Sequence, residues 1–125
     1  MKVSETLNKA ADLIEERGWA QGSAGWAESE SGLCLEGGIQ AATGMLSHTG
    51  ITECSAYRAV WNHLRTDSRW GFFRTNLFDW NDVGGRTANE VIEVLRACAL
   101  IESAREEQDE AYATYEQNIM VGASS

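Results

Sequence analysis

The fold is decided by residues 80–99, which read WNDVGGRTANEVIEVLRACA. Thr87 and Glu90 have the spacing of a capping box, in which the threonine hydroxyl accepts from the amide of residue 90 and the glutamate accepts from the amide of residue 87. The pair Gly84-Gly85 supplies backbone freedom just before this start. Apolar residues then recur at helical spacing, so the stretch predicts a helix that begins at Ala88 and buries one face.

The rest of the chain predicts further helices. An amphipathic helix opens the chain, with Ser4 as its N-cap and Gly18 just beyond its end. Apolar spacing predicts two more helices over residues 33–46 and 55–65, and no window alternates as a half-buried strand does. We therefore predict an all-α fold: a compact bundle of about four helices, an aromatic-rich irregular connector over residues 69–82, and a long C-terminal helix.

Composition narrows the class of protein. A chain of 125 residues predicts one domain, and no apolar run approaches the ~18 residues of a membrane span. Three cysteines without a C-x-x-C motif argue against a disulfide framework or a thiolate zinc site, and they favour a reducing cytoplasm. The net charge of −9 disfavours nucleic acid and anionic membranes as partners. We expect a cytoplasmic protein with no cofactor and no metal.

The C-terminal part of the chain is acidic and amphipathic. We divide the chain into a helical domain, 1–101, and an acidic helical extension of the same domain, 102–125. In this extension Tyr112, Tyr115 and Ile119 recur at positions i, i+3 and i+7, which is the spacing of residues that dock into a groove. These three are candidate partner-binding residues for another protein or for a second copy. The competing interpretation is a solvated acidic helix.

Three pieces of the chain resemble a family of small uncharacterised proteins from actinobacteria and their phages. They are LIEERGW at residues 13–19, CLEGGIQAA at 34–42, and the Trp80-Asn81-Asp82, Gly85-Arg86-Thr87 and Glu90-Val91-Ile92 pieces of the opening stretch. Gly38 stands where relatives usually have alanine. The resemblance covers roughly residues 5–100 and implies a helical fold, with no activity attached and with the extension as a local addition.

Cys34 is a candidate nucleophile, because it follows a loop and opens a predicted helix. A helix N-terminus stabilises a thiolate. With His48 or His63 as base and Asn81 or Asp82 as the orienting residue, a Cys–His–Asn hydrolase can be drawn. We favour the simpler interpretation that Cys34 is a small buried residue, because free cysteine is among the most buried residue types and neither histidine lies in a known motif.

A second candidate site is the loop that precedes the last helix. Asn81 and Asp82 can shape a tight turn, and Arg86 can pair with Asp82 or with an anionic ligand at the helix N-terminus. With Trp80, these residues are candidates for ligand binding. We favour a purely structural role, because turn and capping chemistry explain the same residue types. Calcium needs more oxygen ligands at set spacing than this loop carries.

The aromatic side chains are expected to form a core. Trp61, Phe73 and Phe78 are predicted to be buried, since each large ring buries about 150–250 Å². Trp70 and Trp80 are predicted to be partly exposed, at the edge of the connector.

Two functions remain open from the sequence. We prefer a small non-enzymatic protein that binds another protein, as a phage accessory factor would bind a host protein. The alternative is a small cysteine-dependent hydrolase or small-ligand-binding protein, with a site between Cys34 and the Asn81–Arg86 loop.

Overall fold

The fold is a helical bundle closed by one long helix. The computed structural model describes residues 1–22, 26–27, 32–66 and 76–124. The helices are α1 (Val3–Arg17), α2 (Leu35–Thr43), α3 (His48–Ile51), α4 (Ser55–Thr66), α5 (Leu77–Asn81) and α6 (Ala88–Ser124). In these ranges the only β-type pairing is a single bridge between Trp19 and Leu33. The predicted all-α class is confirmed.

Helix α6 begins where its capping residues require. The amide of Glu90 donates to Thr87 Oγ1 at 3.2 Å, and the amide of Thr87 donates to Glu90 Oε1 at 3.1 Å. Both halves of the predicted capping box are therefore formed. The first turns of α6 bury Val91, Val94 and Leu95 completely, which confirms the predicted apolar face.

Helix α1 lies antiparallel to α6 and is tied to it at both ends. Near one end of α1, Arg96 donates to Asp12 at 2.6 Å. At the other end, both the amide and the hydroxyl of Ser4 donate to the Glu106 carboxylate, at 3.0 and 2.6 Å. The expectation that Ser4 is the N-cap is wrong, because α1 already begins at Val3. The carboxylate from α6 satisfies the amide group that an N-cap would have bound.

Helices α1 and α2 approach closely at a glycine. A Cβ atom at Gly38 would lie 2.8 Å from Cδ1 of Ile14 and 3.4 Å from the carbonyl oxygen of Ala10. The small side chains of α2 at this point therefore permit the close contact with α1. Helix α2 ends at Gly44, whose φ of 79° is left-handed.

The connector regions differ from expectation in three places. Residues 47–54, which lie between the two helices predicted over 33–46 and 55–65, contain the short helix α3, capped by the Ser47 hydroxyl. Trp80 is fully buried, so its predicted exposure is wrong. Trp61 and Phe78 are only partly buried, whereas we expected both in the core. The predictions for Trp70 and Phe73 lie outside the described residues.

Helix α6 continues through residues 101 and 102 without a break, and the division of the chain at that point stays a prediction. Among the described helices, none combines the length and the apolarity needed to cross a membrane.

Candidate functional site

Asn81 is the centre of the polar loop and lies completely buried at the end of α5. Its Oδ1 accepts from Trp19 Nε1 at 2.7 Å and from the Leu35 amide at 3.0 Å. Its Nδ2 donates to the Ala20 carbonyl and to Asp82 Oδ1, both at 3.1 Å. The side chain therefore joins α5 to the segment after α1 and to the start of α2. Its polar atoms are engaged inside the chain.

The neighbouring charged residues also brace this loop. Asp82 Oδ1 accepts from the Gly22 amide at 2.9 Å. Arg86 donates to the Trp80 carbonyl and to Glu90, both at 3.1 Å, and its guanidinium lies 3.8 Å from the centre of the Trp80 ring. The sequence suggested that Arg86 pairs with Asp82, whereas the pair that forms is Arg86 with Glu90. An i, i+4 ion pair and a cation–π contact hold Arg86 against the helix start.

Cys34 is buried and acts as the N-cap of α2. Its Sγ accepts from the Gly37 amide at 3.1 Å. Burial raises the pKa of the Cys34 thiol to about 11, and this effect outweighs the helix N-terminus. The thiol is therefore protonated at neutral pH and a poor nucleophile. Within the described ranges, no hydrogen bond joins Cys34 to either histidine.

His48 is held instead by Glu36, a residue that sequence analysis did not single out. Glu36 is fully buried on the first turn of α2, and His48 Nδ1 lies 3.0 Å from each of its carboxylate oxygens. Burial raises the pKa of Glu36, although the hydrogen bond from His48 opposes this shift. The available signal was one charged residue inside the otherwise apolar and small stretch LCLEGGI, at residues 33–39.

The Glu36–His48 pair fixes one imidazole nitrogen and leaves the other ring edge accessible. The His48 side chain is 43% exposed, and its ring meets the Phe78 ring edge-on at 5.6 Å. A carboxylate that holds Nδ1 in this way orients a histidine for proton transfer or ligand binding. His48 and His63 both line a groove of about 1080 Å³ beside α4, but Cys34 and Asn81 do not. The structure therefore does not assemble the Cys–His–Asn arrangement.

His63 contributes a second polar atom to this region. Within the described part of the chain, its Nε2 is buried and has no hydrogen-bond partner. No three histidine, cysteine or acidic side chains among the described residues are grouped closely enough to hold a metal ion.

The third candidate site lies on the second half of α6, where large apolar side chains face solvent. Tyr112, Tyr115 and Ile119 are 63%, 62% and 50% exposed, and Leu100 and Ile101 are 75% and 48% exposed. From residue 107 to residue 119 every side chain is exposed. Single exposed apolar residues are ordinary, whereas Tyr112, Tyr115 and Ile119 recur on one side of the helix and remain a candidate surface.

The fold and these surfaces together define a small all-α bundle whose polar loop is an internal brace and whose exposed apolar residues lie on its last helix. The chain belongs to a family of unknown function, DUF6197, whose family model matches residues 1–100. No curated protein and no solved structure is similar enough to this chain to count as a match. The exposed residues Tyr112, Tyr115 and Ile119 lie beyond the matched region.

Cysteine reactivity gives a direct check of the site around Cys34. In native protein at about pH 8, we expect iodoacetamide to modify Cys54 and to leave Cys34 and Cys98 unmodified. Cys54 is half-buried, whereas burial raises the pKa of Cys34 to about 11 and of Cys98 to about 12. Mass spectrometry of the digested protein measures each site, and all three should react in urea. Modification of native Cys34 as fast as Cys54 would contradict this assignment.

Proposed function

We propose that this protein is a non-enzymatic module that binds another protein through the exposed apolar face of α6. The observation that carries the proposal is the exposure of Tyr112, Tyr115 and Ile119 along one helix. Tyrosine is enriched in interfaces because its large ring adds contact area while its hydroxyl stays compatible with water. The salt bridge from Lys2 to Glu110, at 2.7 Å, holds the start of this segment against α1.

The alternative function, a cysteine-dependent hydrolase or small-ligand-binding protein, has less support. A nucleophilic cysteine needs a thiolate, and burial keeps the Cys34 thiol protonated by raising its pKa. The ligand-binding role of the loop competes with hydrogen bonds that Asn81, Asp82 and Arg86 already make within the chain. The oriented His48 is the one observation that favours chemistry, and it lies on a different surface.

The proposed setting follows from the family resemblance seen in the sequence. We infer an accessory protein of actinobacterial or phage origin that acts in the cytoplasm, which is the host cytoplasm for a phage protein. Its target in that setting is a host protein.

Affinity capture with matched variants tests the proposed function. The test variant is Tyr112→Ser/Tyr115→Ser/Ile119→Ser, and the control is Ala113→Ser/Thr114→Ser/Gln117→Ser, which places three serines outside that face. We expect the wild type and the control to retain the same enriched host protein and the test variant to lose it by about tenfold or more. Quantitative mass spectrometry reads the enrichment, and circular dichroism checks that both variants are folded. Equal capture by all three proteins would overturn the proposal.

A further inference from the structure

We infer that the partner segment is a basic amphipathic helix that docks on α6 at Tyr112, Tyr115 and Ile119. This inference rests on the proposed function and adds the chemistry of the partner.

The exposed apolar side chains of Tyr112, Tyr115 and Ile119 form one face, at positions i, i+3 and i+7 of α6. Ile101 lies two heptads before Tyr115, but the position between them is Gln108, so the apolar row is interrupted. Ile119 lies 18 residues after Ile101, which is about five helical turns and returns to the same side.

The Tyr115 side of this face points away from α1, whereas Tyr112 follows the fully buried Val94 by 18 residues, or five turns, and lies on the same side of the helix as Val94. Leu95 is fully buried, and Tyr115 follows it by 20 residues, or about 5.6 turns, which places Tyr115 on nearly the opposite side. Glu106, which binds the start of α1, precedes Tyr115 by about 2.5 turns and also points away from it. A helix docked on Tyr115 therefore does not compete with α1.

The charge of the segment selects the partner. Residues 102–117 contain six carboxylates and one arginine, Arg105, which lies 3.6 Å from Glu102. These charges surround a helix about 10 Å wide, so at a Debye length of about 8 Å their field reaches the docking face. A second copy would bring two acidic segments together, whereas a helix flanked by lysine or arginine would be attracted. We therefore assign a basic helix, and not a second copy, to this face.

Two synthetic peptides test this inference with the full-length protein. Both are designed amphipathic helices with the same leucine and alanine face, one flanked by lysines and one by glutamates. Isothermal titration calorimetry should show binding of the lysine peptide, weakened by about tenfold when salt rises from about 0.1 M to about 0.5 M. We expect the glutamate peptide not to bind. The same titration is repeated with the triple-serine test variant and its control from the capture experiment.

Each outcome separates the two proposals. Loss of lysine-peptide binding in the test variant, with binding kept in the control, supports docking on the apolar face, because both variants retain every charge. If the test variant and the control bind the lysine peptide equally, the peptide is attracted to a diffuse negative surface and not to the apolar face, which overturns the inference. Equal binding of both peptides keeps helix docking and refutes the selection by charge. Concentration-dependent dimerisation of the wild type that the test variant abolishes, seen by analytical ultracentrifugation, assigns the face to a second copy. The capture experiment decides the proposed function independently of these results.

Discussion

Replacing Asn81 by leucine is expected to lower the free energy of unfolding by about 3–5 kcal/mol. Leucine keeps the approximate size of the side chain but removes both its donor and its acceptor. The Trp19 indole N–H, the Leu35 amide and the Ala20 carbonyl would then each lose a partner that the side chain supplies. An unsatisfied buried group costs about 1–3 kcal/mol. Of the three groups that lose a partner, the Leu35 amide is buried and the other two are partly buried. Urea unfolding monitored by circular dichroism measures the change.

The matched control is Asn89→Leu, on the solvent-exposed side of α6. This control makes the same substitution without removing a buried hydrogen-bond partner. We therefore expect the free energy of unfolding to differ from that of the wild type by no more than about 0.5 kcal/mol. Similar unfolding midpoints for the two variants would refute the central role of Asn81. That result would instead favour the ligand-binding role that the sequence suggested for Asn81.

Trp80→Ala is expected to lower the free energy of unfolding by about 3–5 kcal/mol. Trp80 is fully buried, so the substitution removes the largest side chain of the core and leaves a cavity that its neighbours fill only in part. It also removes the ring on which the Arg86 guanidinium stacks at 3.8 Å. Thermal and urea unfolding both measure the loss, and the substitution leaves the proposed binding face of α6 unchanged.

Trp61→Ala provides the comparison, because Trp61 is only partly buried and stacks with Arg65 at 5.0 Å near the surface. We expect its loss of stability to be at most about half that of Trp80→Ala, in proportion to the smaller apolar area removed from water. A larger loss of stability for Trp61→Ala would show that packing around α4 contributes more to the free energy of unfolding than packing at the junction of α5 with α6.

The helices were predictable because their signals are local. The Thr87–Glu90 capping box marks the start of α6, and the apolar spacing from Val91 to Cys98 marks the face that it buries. Capping and periodicity act over one to three turns, so a short window of sequence contains the whole interaction. The same reasoning predicted α4 to within one residue of its observed end.

The burial of aromatic residues was less predictable because it depends on which elements meet. Trp80 lies in the predicted connector over residues 69–82 and was expected to be partly exposed, yet α5 places it in the core. Trp61 lies on a regular amphipathic helix, yet it stays partly exposed. Periodicity identifies the apolar face of a helix. It does not determine how much of that face its neighbours cover.

The hydrogen-bond partners of the polar residues were even less predictable from the sequence than the burial of the aromatic residues. Asn81 was identified as a loop residue from its type, but its partners Trp19 and Leu35 lie 62 and 46 residues away in the chain. His48 was considered as a base for Cys34, and its actual partner is Glu36. Residue type states what a side chain can bond to, and only the packing of helices selects one partner from the many that are chemically suitable.

By itself, the sequence determined the all-α class, the start of α6 and the amphipathic spacing of Tyr112, Tyr115 and Ile119. Each depends on backbone and side-chain interactions within a few turns of one helix. The tertiary structure alone decided that Asn81 is an internal brace, that Cys34 is protonated and that the last helix keeps an uncovered face. These properties depend on the exclusion of water by elements far apart in the chain, which no short stretch of sequence contains.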